Sequence, residues 1–193
     1  MPKPKTDSKE RLIEAASRLF SQQGYQATGL SQIVEESGAP RGSVYFLFPE
    51  GKESIAVEAI KQSAAKMREL LAATSEQSVT MSEWISQISA RIAQRLQASD
   101  FRSGSPFAAV ALDAASSDSA ALGEVCHKAY DEWIQDTTAI LTLKFSVDPG
   151  TANVLAVSAI GAIEGALILC RAQKSTEPLS IVTQMLIEWV ENK

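Results

Sequence analysis

Between Val154 and Cys170 the chain runs for seventeen residues with a single charge, Glu164. A run of this kind must leave water, either by crossing a bilayer or by being covered with protein. A spanning helix needs about 20 apolar residues, and a carboxylate near its centre is costly in hydrocarbon. Seventeen residues around Glu164 therefore predict a buried helix of a soluble protein, with no membrane partner. Its apolar positions, Val154, Leu155, Val157, Ile160, Ile163, Leu167, Ile168 and Leu169, go nearly all the way round. More than one face of that helix has to be covered.

Helical spacing extends over the rest of the chain, and nothing alternates with the period of a strand. From Ser8 to Gln23 the apolar positions are Leu12, Ala16, Leu19 and Phe20, widened by Ile13 and Ala15. Gly24 stands where a left-handed residue closes a helix. Thr28 is a suitable N-cap for a short helix through Ser37, with Leu30, Ile33 and Val34 inward. Gly38-Ala39-Pro40 breaks that helix, and Pro40 suits the first turn of another, about Arg41 to Phe48. Val44 and Phe48 share the inner face of this third helix. Pro49-Glu50-Gly51 ends it, and Lys52 opens a long helix to about Ala73. Further helices are predicted near 80–98, 105–115, 119–145, 149–174 and 178–191. Their punctuators are Arg102-Ser103-Gly104, Ser116-Ser117-Asp118, Asp148-Pro149-Gly150 and Glu177-Pro178. The predicted class is all-α.

With 193 residues, 45% of them hydrophobic, the chain can bury a real core without a disulfide or metal framework. Two cysteines, Cys126 and Cys170, fit a reducing cytosol. Met1-Pro2-Lys3-Pro4-Lys5 leads into charged residues with no apolar core of a signal peptide, so a cytoplasmic location is expected. The net charge of −5 argues at first against a nucleic-acid partner. Its distribution is uneven. Residues 1–52 hold seven bases and six acids, or +1, whereas the remainder holds eleven bases and seventeen acids, or −6.

Two short helices joined by a Gly-containing turn, with a supporting helix before them, describe a helix-turn-helix. The first helix of such a pair needs a free N-terminus, whose N–H groups bind a backbone phosphate, and Thr28 and Gly29 leave that end accessible. The second must bring small or polar residues to base edges in the major groove. Here those are Arg41, Gly42 and Ser43, behind Pro40, with Tyr45 and Phe46 on the same exposed side. Lys52 adds a cation at the start of the next helix. Periodicity alone leaves a plain helical corner equally open.

The residues themselves go further. Gly24-Tyr25-Gln26-Ala27-Thr28, Ile33-Val34, Ser37 through Tyr45, Phe48-Pro49 and Lys52-Glu53 resemble, in order and spacing, the DNA-binding domain of the Tet repressor (TetR) family. The turn Pro49-Glu50-Gly51-Lys52 is one residue longer than the commonest form. With Gly104-Ser105-Pro106, the Ala-rich stretch to Asp113 and Glu164-Gly165-Ala166-Leu167, it is similar to the LmrA/YxaF-like branch. The resemblance implies a homeodomain-like three-helix head over 1–51, and an effector-binding and dimerisation domain over 52–193. It implies phosphate contacts by Thr28, Tyr45 and Lys52, and places Arg41, Gly42 and Ser43 at or near base edges. Phe46 stands where the family often has His or Tyr; its ring cannot donate to a phosphate and suits a thymine methyl or a sugar instead.

Two helices with surplus apolar surface at a chain end suggest a two-fold subunit interface. Its candidate residues are Val157, Gly161 and Leu167, then Leu179, Val182, Leu186 and Trp189. The resemblance agrees, since the family pairs its last two helices into a four-helix bundle. Two heads about 34–36 Å apart then read a palindromic operator on double-stranded DNA. The middle helices carry Met67, Trp84, Ile88, Phe107 and Val110, and one face that aligns Tyr130, Trp133 and Thr137. Such a stripe is core or pocket; the family encloses a small hydrophobic effector there. Glu164 either faces that pocket or pairs with a neighbouring or partner helix.

A single histidine, His127, leaves no His pair for a metal and no Ser-His-Asp triad. No cofactor and no enzymatic activity are expected. The reading is a transcriptional regulator, most simply a repressor released by its effector. Its rival is a helical protein that binds a hydrophobic small molecule without touching DNA.

Overall fold

The computed structural model describes residues 5–116 and 119–192; in it Arg102-Ser103-Gly104 lies between two helices, while Pro149-Gly150 and Glu177-Pro178 stand in the first turns of helices. Among the described residues there are helices and turns but no strand. The helices are α1 (Lys5–Gln23), α2 (Leu30–Ser37), α3 (Arg41–Leu47), α4 (Lys52–Gln77), α5 (Met81–Ala98), α6 (Ala108–Ala115), α7 (Ala120–Leu143), α8 (Pro149–Gln173) and α9 (Glu177–Glu191). They gather into two compact units. One holds the described residues through Ser63 with Ser105–Ala129, and the other holds Ala64–Gly104 with Tyr130–Lys193. The dividing lines fall inside α4 and α7, not at Lys52, because those helices run on without a break.

In the first unit the amphipathic α1 packs against α2 and α6. Leu12, Ala16, Phe20, Ile33, Val44, Phe48, Ile55, Phe107, Val110 and Leu122 form its core. Polar side chains then close the ends. Arg11 donates from Nη1 to the carbonyls of Ser37 (3.1 Å) and Gly38 (3.2 Å), covering the exposed C-terminus of α2. Gly38 takes φ +60°, the left-handed conformation that glycine adopts without a Cβ penalty. Arg18 pairs with Glu36 at 2.6 Å, both side chains about half in solvent, which is worth about 1 kcal/mol or less.

In the second unit α9 packs against both α5 and α8. Trp84 donates its indole N–H to Thr74 Oγ1 at 3.1 Å, and its ring lies 5.6 Å from that of Phe145. Arg68 on α4 bridges two acids of α7, Asp136 at 2.9 Å and Glu132 at 3.3 Å. The mostly apolar α8 starts at Asp148, whose carboxylate accepts from Thr151 N, with Pro149 in its first turn. It buries Ala152, Leu155, Ile160, Ile163, Leu167 and Cys170.

Among the helix boundaries that differ from the periodicity, three are set by hydroxyl groups or lie beside them. The N-cap of α2 is Gly29, not Thr28, because the Thr28 hydroxyl turns back to donate to Gly24 O at 2.7 Å. α4 runs to Gln77, one turn beyond Ala73, and in that last turn the hydroxyls of Thr74 and Ser75 bond back to carbonyls of their own helix. α6 starts at Ala108, three residues later than Ser105, whose hydroxyl accepts from the N–H groups of Phe107 and Ala108. The punctuator Ser117-Asp118 lies outside the described residues.

α5 opens with a capping box in which Thr80 accepts from Glu83 N and Glu83 accepts from Thr80 N. Thr80→Ala should lower the unfolding free energy by about 1 kcal/mol. Urea denaturation with an unchanged slope checks it; an unaltered midpoint would show that the cap contributes nothing.

Candidate nucleic-acid interface

The α2–turn–α3 segment is too short to be stable by itself, so the site begins with what anchors it. Val44 and Phe48, one turn apart, are 1% and 2% exposed. That orientation sends the opposite side of α3 outward. Pro40, Arg41 and Gly42 are exposed there, with Tyr45 at 69% and Phe46 at 71%, while Ser43 is half-buried. A Cβ on Gly42 would meet nothing within 4 Å, so the helix start is open to a large neighbour. A hollow of about 310 Å³ beside it is lined by Ser8, Gly42, Ser43, Phe46 and Leu47. Gly29, at the start of α2, is exposed and no side chain caps the helix N–H groups behind it.

Two of the expected phosphate contacts are committed inward. Thr28 is 1% exposed, and its hydroxyl donates to Gly24 O while accepting from Gln23 Nε2 at 3.2 Å. The Lys52 ammonium donates to Tyr25 O at 3.1 Å and lies 4.0 Å from the Tyr25 ring centroid. Burial pulls the Lys52 pKa below its ordinary value, with the charge of Asp113 acting the other way. These two residues shape the turn before α2, and any phosphate at this end meets backbone N–H groups first. Asp113, which enters that turn from α6, was not legible in the sequence: one acid in an Ala-rich segment carries no periodic signal.

The nine expected pocket residues are divided between the units. Phe107 and Val110 are buried in the first. In the second, Trp84, Ile88, Trp133 and Thr137 are buried, whereas Met67, Tyr130 and Glu164 are half-buried. Tyr130 and Trp133 stack at 6.2 Å, and the Tyr130 hydroxyl donates to Glu164 Oε1 at 3.3 Å. Glu164 thus engages α7 of its own protomer. The buried Thr137 hydroxyl has no hydrogen-bond partner. Arg95, absent from the expected set, donates to Gly104 O at 3.0 Å. It keeps surface in solvent, yet its guanidinium end is desolvated enough to lower its pKa, against the opposing charge of Glu164. Burial pushes the Cys126 thiol up to about 11 and raises that of Cys170, which suits inert packing.

Of the expected interface residues, Leu167, Leu179 and Leu186 are buried within the chain itself, so they are not on its outer surface. Val157 and Gly161 are exposed, and Val182 and Trp189 half-buried. The outward apolar residues also include Val154, Ile168 and Leu169 on α8 and Ile181 and Met185 on α9. A helix apolar all round does not reveal which stripe turns inward.

A seven-residue helix bared on one side, behind an uncapped helix start, defines the class: a helix-turn-helix protein of the DNA-binding kind. Residues 12–59 match the bacterial regulatory proteins of the tetR family, and residues 82–185 match the C-terminal domain of LmrA/YxaF-like transcriptional regulators. The chain is 34% identical to the HTH-type transcriptional regulator LmrA of Bacillus subtilis, over 90% of this chain and 91% of that protein. It is 33% identical to the uncharacterized regulator YxaF of the same organism, over 97% of each. A TetR regulator from Legionella pneumophila shares the fold, with a TM-score of 0.83 and 23% identity over 93% of this chain and 95% of that one.

The chain belongs to the TetR family, in its LmrA/YxaF-like branch, and is a DNA-binding transcriptional regulator rather than an enzyme. The rival reading of a binding protein that does not touch DNA is thereby set aside.

Arg41 is the exposed cation at the start of α3. Arg41→Ala should weaken binding to a selected DNA site by about 1–3 kcal/mol and relax its specificity, with the melting temperature unchanged. Fluorescence anisotropy with matched and scrambled duplexes measures this; equal affinity for the selected site would remove Arg41 from the reading surface.

Proposed function

We propose that the protein is a homodimeric repressor that binds a palindromic operator and is released by a small hydrophobic effector, working in the cytoplasm where bacterial DNA lies. The observation that carries the reading is the outward face of α3, on which Arg41, Gly42, Tyr45 and Phe46 are exposed while Val44 and Phe48 are buried. On this reading Arg41, Gly42 and Ser43 approach base edges, Tyr45 and the N-termini of α2 and α4 hold phosphates, and Phe46 meets a thymine methyl or sugar.

The dimer part is supported by the stripe Val154, Val157, Gly161, Ile168 on α8, continued by Ile181 and Met185 on α9. Isolated exposed apolar residues are ordinary, but a stripe along two adjacent helices marks an interface. The effector part is supported by Trp133, Tyr130 and the unpartnered Thr137 hydroxyl on one face of α7, with Glu164 against Tyr130. That set fits an aromatic or apolar molecule carrying a hydrogen-bond donor. Effector binding would favour a conformer with wrongly spaced heads, so operator and effector each weaken the other by the same factor.

Binding to DNA from beside its own gene, titrated with salt, tests the assignment. Arg41 and the helix N-termini of each subunit predict binding that weakens as salt rises, and binding independent of salt would sink it. Repeating the titration with hydrophobic compounds should reveal one that lowers operator affinity. Ile168→Glu puts a charge into the proposed interface; sedimentation should show monomers, and an intact dimer would move the interface elsewhere.

A further inference from the structure

The turn joining α1 to α2 is held from three directions. From α1, Gln23 Nε2 donates to Ala27 O at 3.1 Å and to Thr28 Oγ1 at 3.2 Å. From α4, the Lys52 ammonium holds Tyr25 O. From α6, Asp113 Oδ2 accepts from the backbone N–H of Gln26 at 2.9 Å. The last contact joins residues 87 apart in the chain, and Asp113 lies in the segment matched to the C-terminal domain while Gln26 lies in that matched to the DNA-binding domain.

The approach is close. Gly24 has φ +85°, and a Cβ there would stand 3.1 Å from Asp113 Oδ2, so a side chain at position 24 would press on the carboxylate. The contact is exposed, where one hydrogen bond adds little to global stability. Its effect is local. The turn leads directly into Gly29, whose exposed position leaves the first N–H groups of α2 without a side-chain cap.

We infer that Asp113 is a positioning residue for DNA binding: by holding the Gln26 N–H it fixes the Gly24–Thr28 turn, and so sets where the α2 N-terminus meets a DNA phosphate. This rests on the reading above that the α2 N-terminus holds a phosphate. The carboxylate touches no DNA in this role and would by its charge repel it. Its removal is therefore expected to weaken binding even though a negative charge disappears, a sign opposite to simple electrostatics.

The test uses the full chain with a duplex selected by the wild-type protein from a random-sequence pool. Asp113→Ala should bind that duplex about 3- to 10-fold more weakly. Replacing single phosphates of the duplex by neutral methylphosphonates should weaken the wild type at the phosphate that meets the α2 N-terminus, and Asp113→Ala should lose most of that sensitivity. Asp113→Asn keeps an oxygen that can accept from Gln26 N, and should stay within about twofold of wild type with the sensitivity intact. Wild-type affinity and sensitivity in Asp113→Ala would overturn the proposal. So would an Asn variant as weak as Ala, because charge and not the accepted hydrogen bond would then matter. A weaker Ala variant with the sensitivity intact would also overturn it, by cutting the link to a phosphate. Should Asp113→Ala fail to fold, amide exchange in the wild type decides: a Gln26 N–H that exchanges as fast as an unprotected amide overturns the proposal. Wild-type binding that no single neutral phosphate weakens would instead mark failure of the phosphate reading itself, and the proposal would fall with it.

Discussion

A helix of seven residues does not hold together in water, because nucleation costs more than its few hydrogen bonds return. α3 exists because Val44 and Phe48 are buried in the same core as Leu12, Phe20 and Ile33. That constraint does two things at once. It stabilises a segment that local propensity cannot, and it commits one side of the helix so that the other remains bare. Gly42 and Ser43 add little helix propensity of their own, yet they keep the outer surface low at the N-terminal end of α3. The stability of α3 comes from packing on one side, which leaves its other side exposed.

Polar chemistry in the head follows from the same constraint. Arg11 closes the C-terminus of α2, Lys52 and Asp113 hold the turn before it, and Arg18 ties α1 to Glu36. Several of the head's cations are therefore structural. The near-neutral head thus has a small charge left for DNA, and the −6 of the remaining chain discourages non-specific sticking. Sequence position corrected the first inference from net charge. The structure then changed which cation is available, since Lys52 folds back on Tyr25 instead of reaching outward.

α8 shows the opposite balance, with apolar residues on its exposed side as well as its buried one. Leu155, Ile160, Ile163 and Leu167 face the interior, while Val154, Val157, Ile168 and Leu169 do not. Its periodicity announced that more than one side had to be covered, but it could not rank the sides. Leu167, Leu179 and Leu186 looked as suitable for a partner subunit as Ile168 or Met185. Only the packing of α9 against both α5 and α8 separated them.

Local rules and chain order were enough for much of this protein. Glycine and proline positions located the helix ends to within a turn, the 3.6-residue spacing made the class all-α, and the run from Gly24 to Glu53 carried the family and its DNA-binding head. These features depend on neighbours a few residues apart, which is the range a sequence pattern encodes. What needed the tertiary structure were the contacts between distant segments. The inward turn of Lys52, the Tyr130–Glu164 bond, the division of apolar stripes between core and surface, and Asp113 against Gln26 are all of this kind. A side chain that bonds to a residue 27, 34 or 87 positions away leaves no periodic trace, so its partner is decided only when the helices pack.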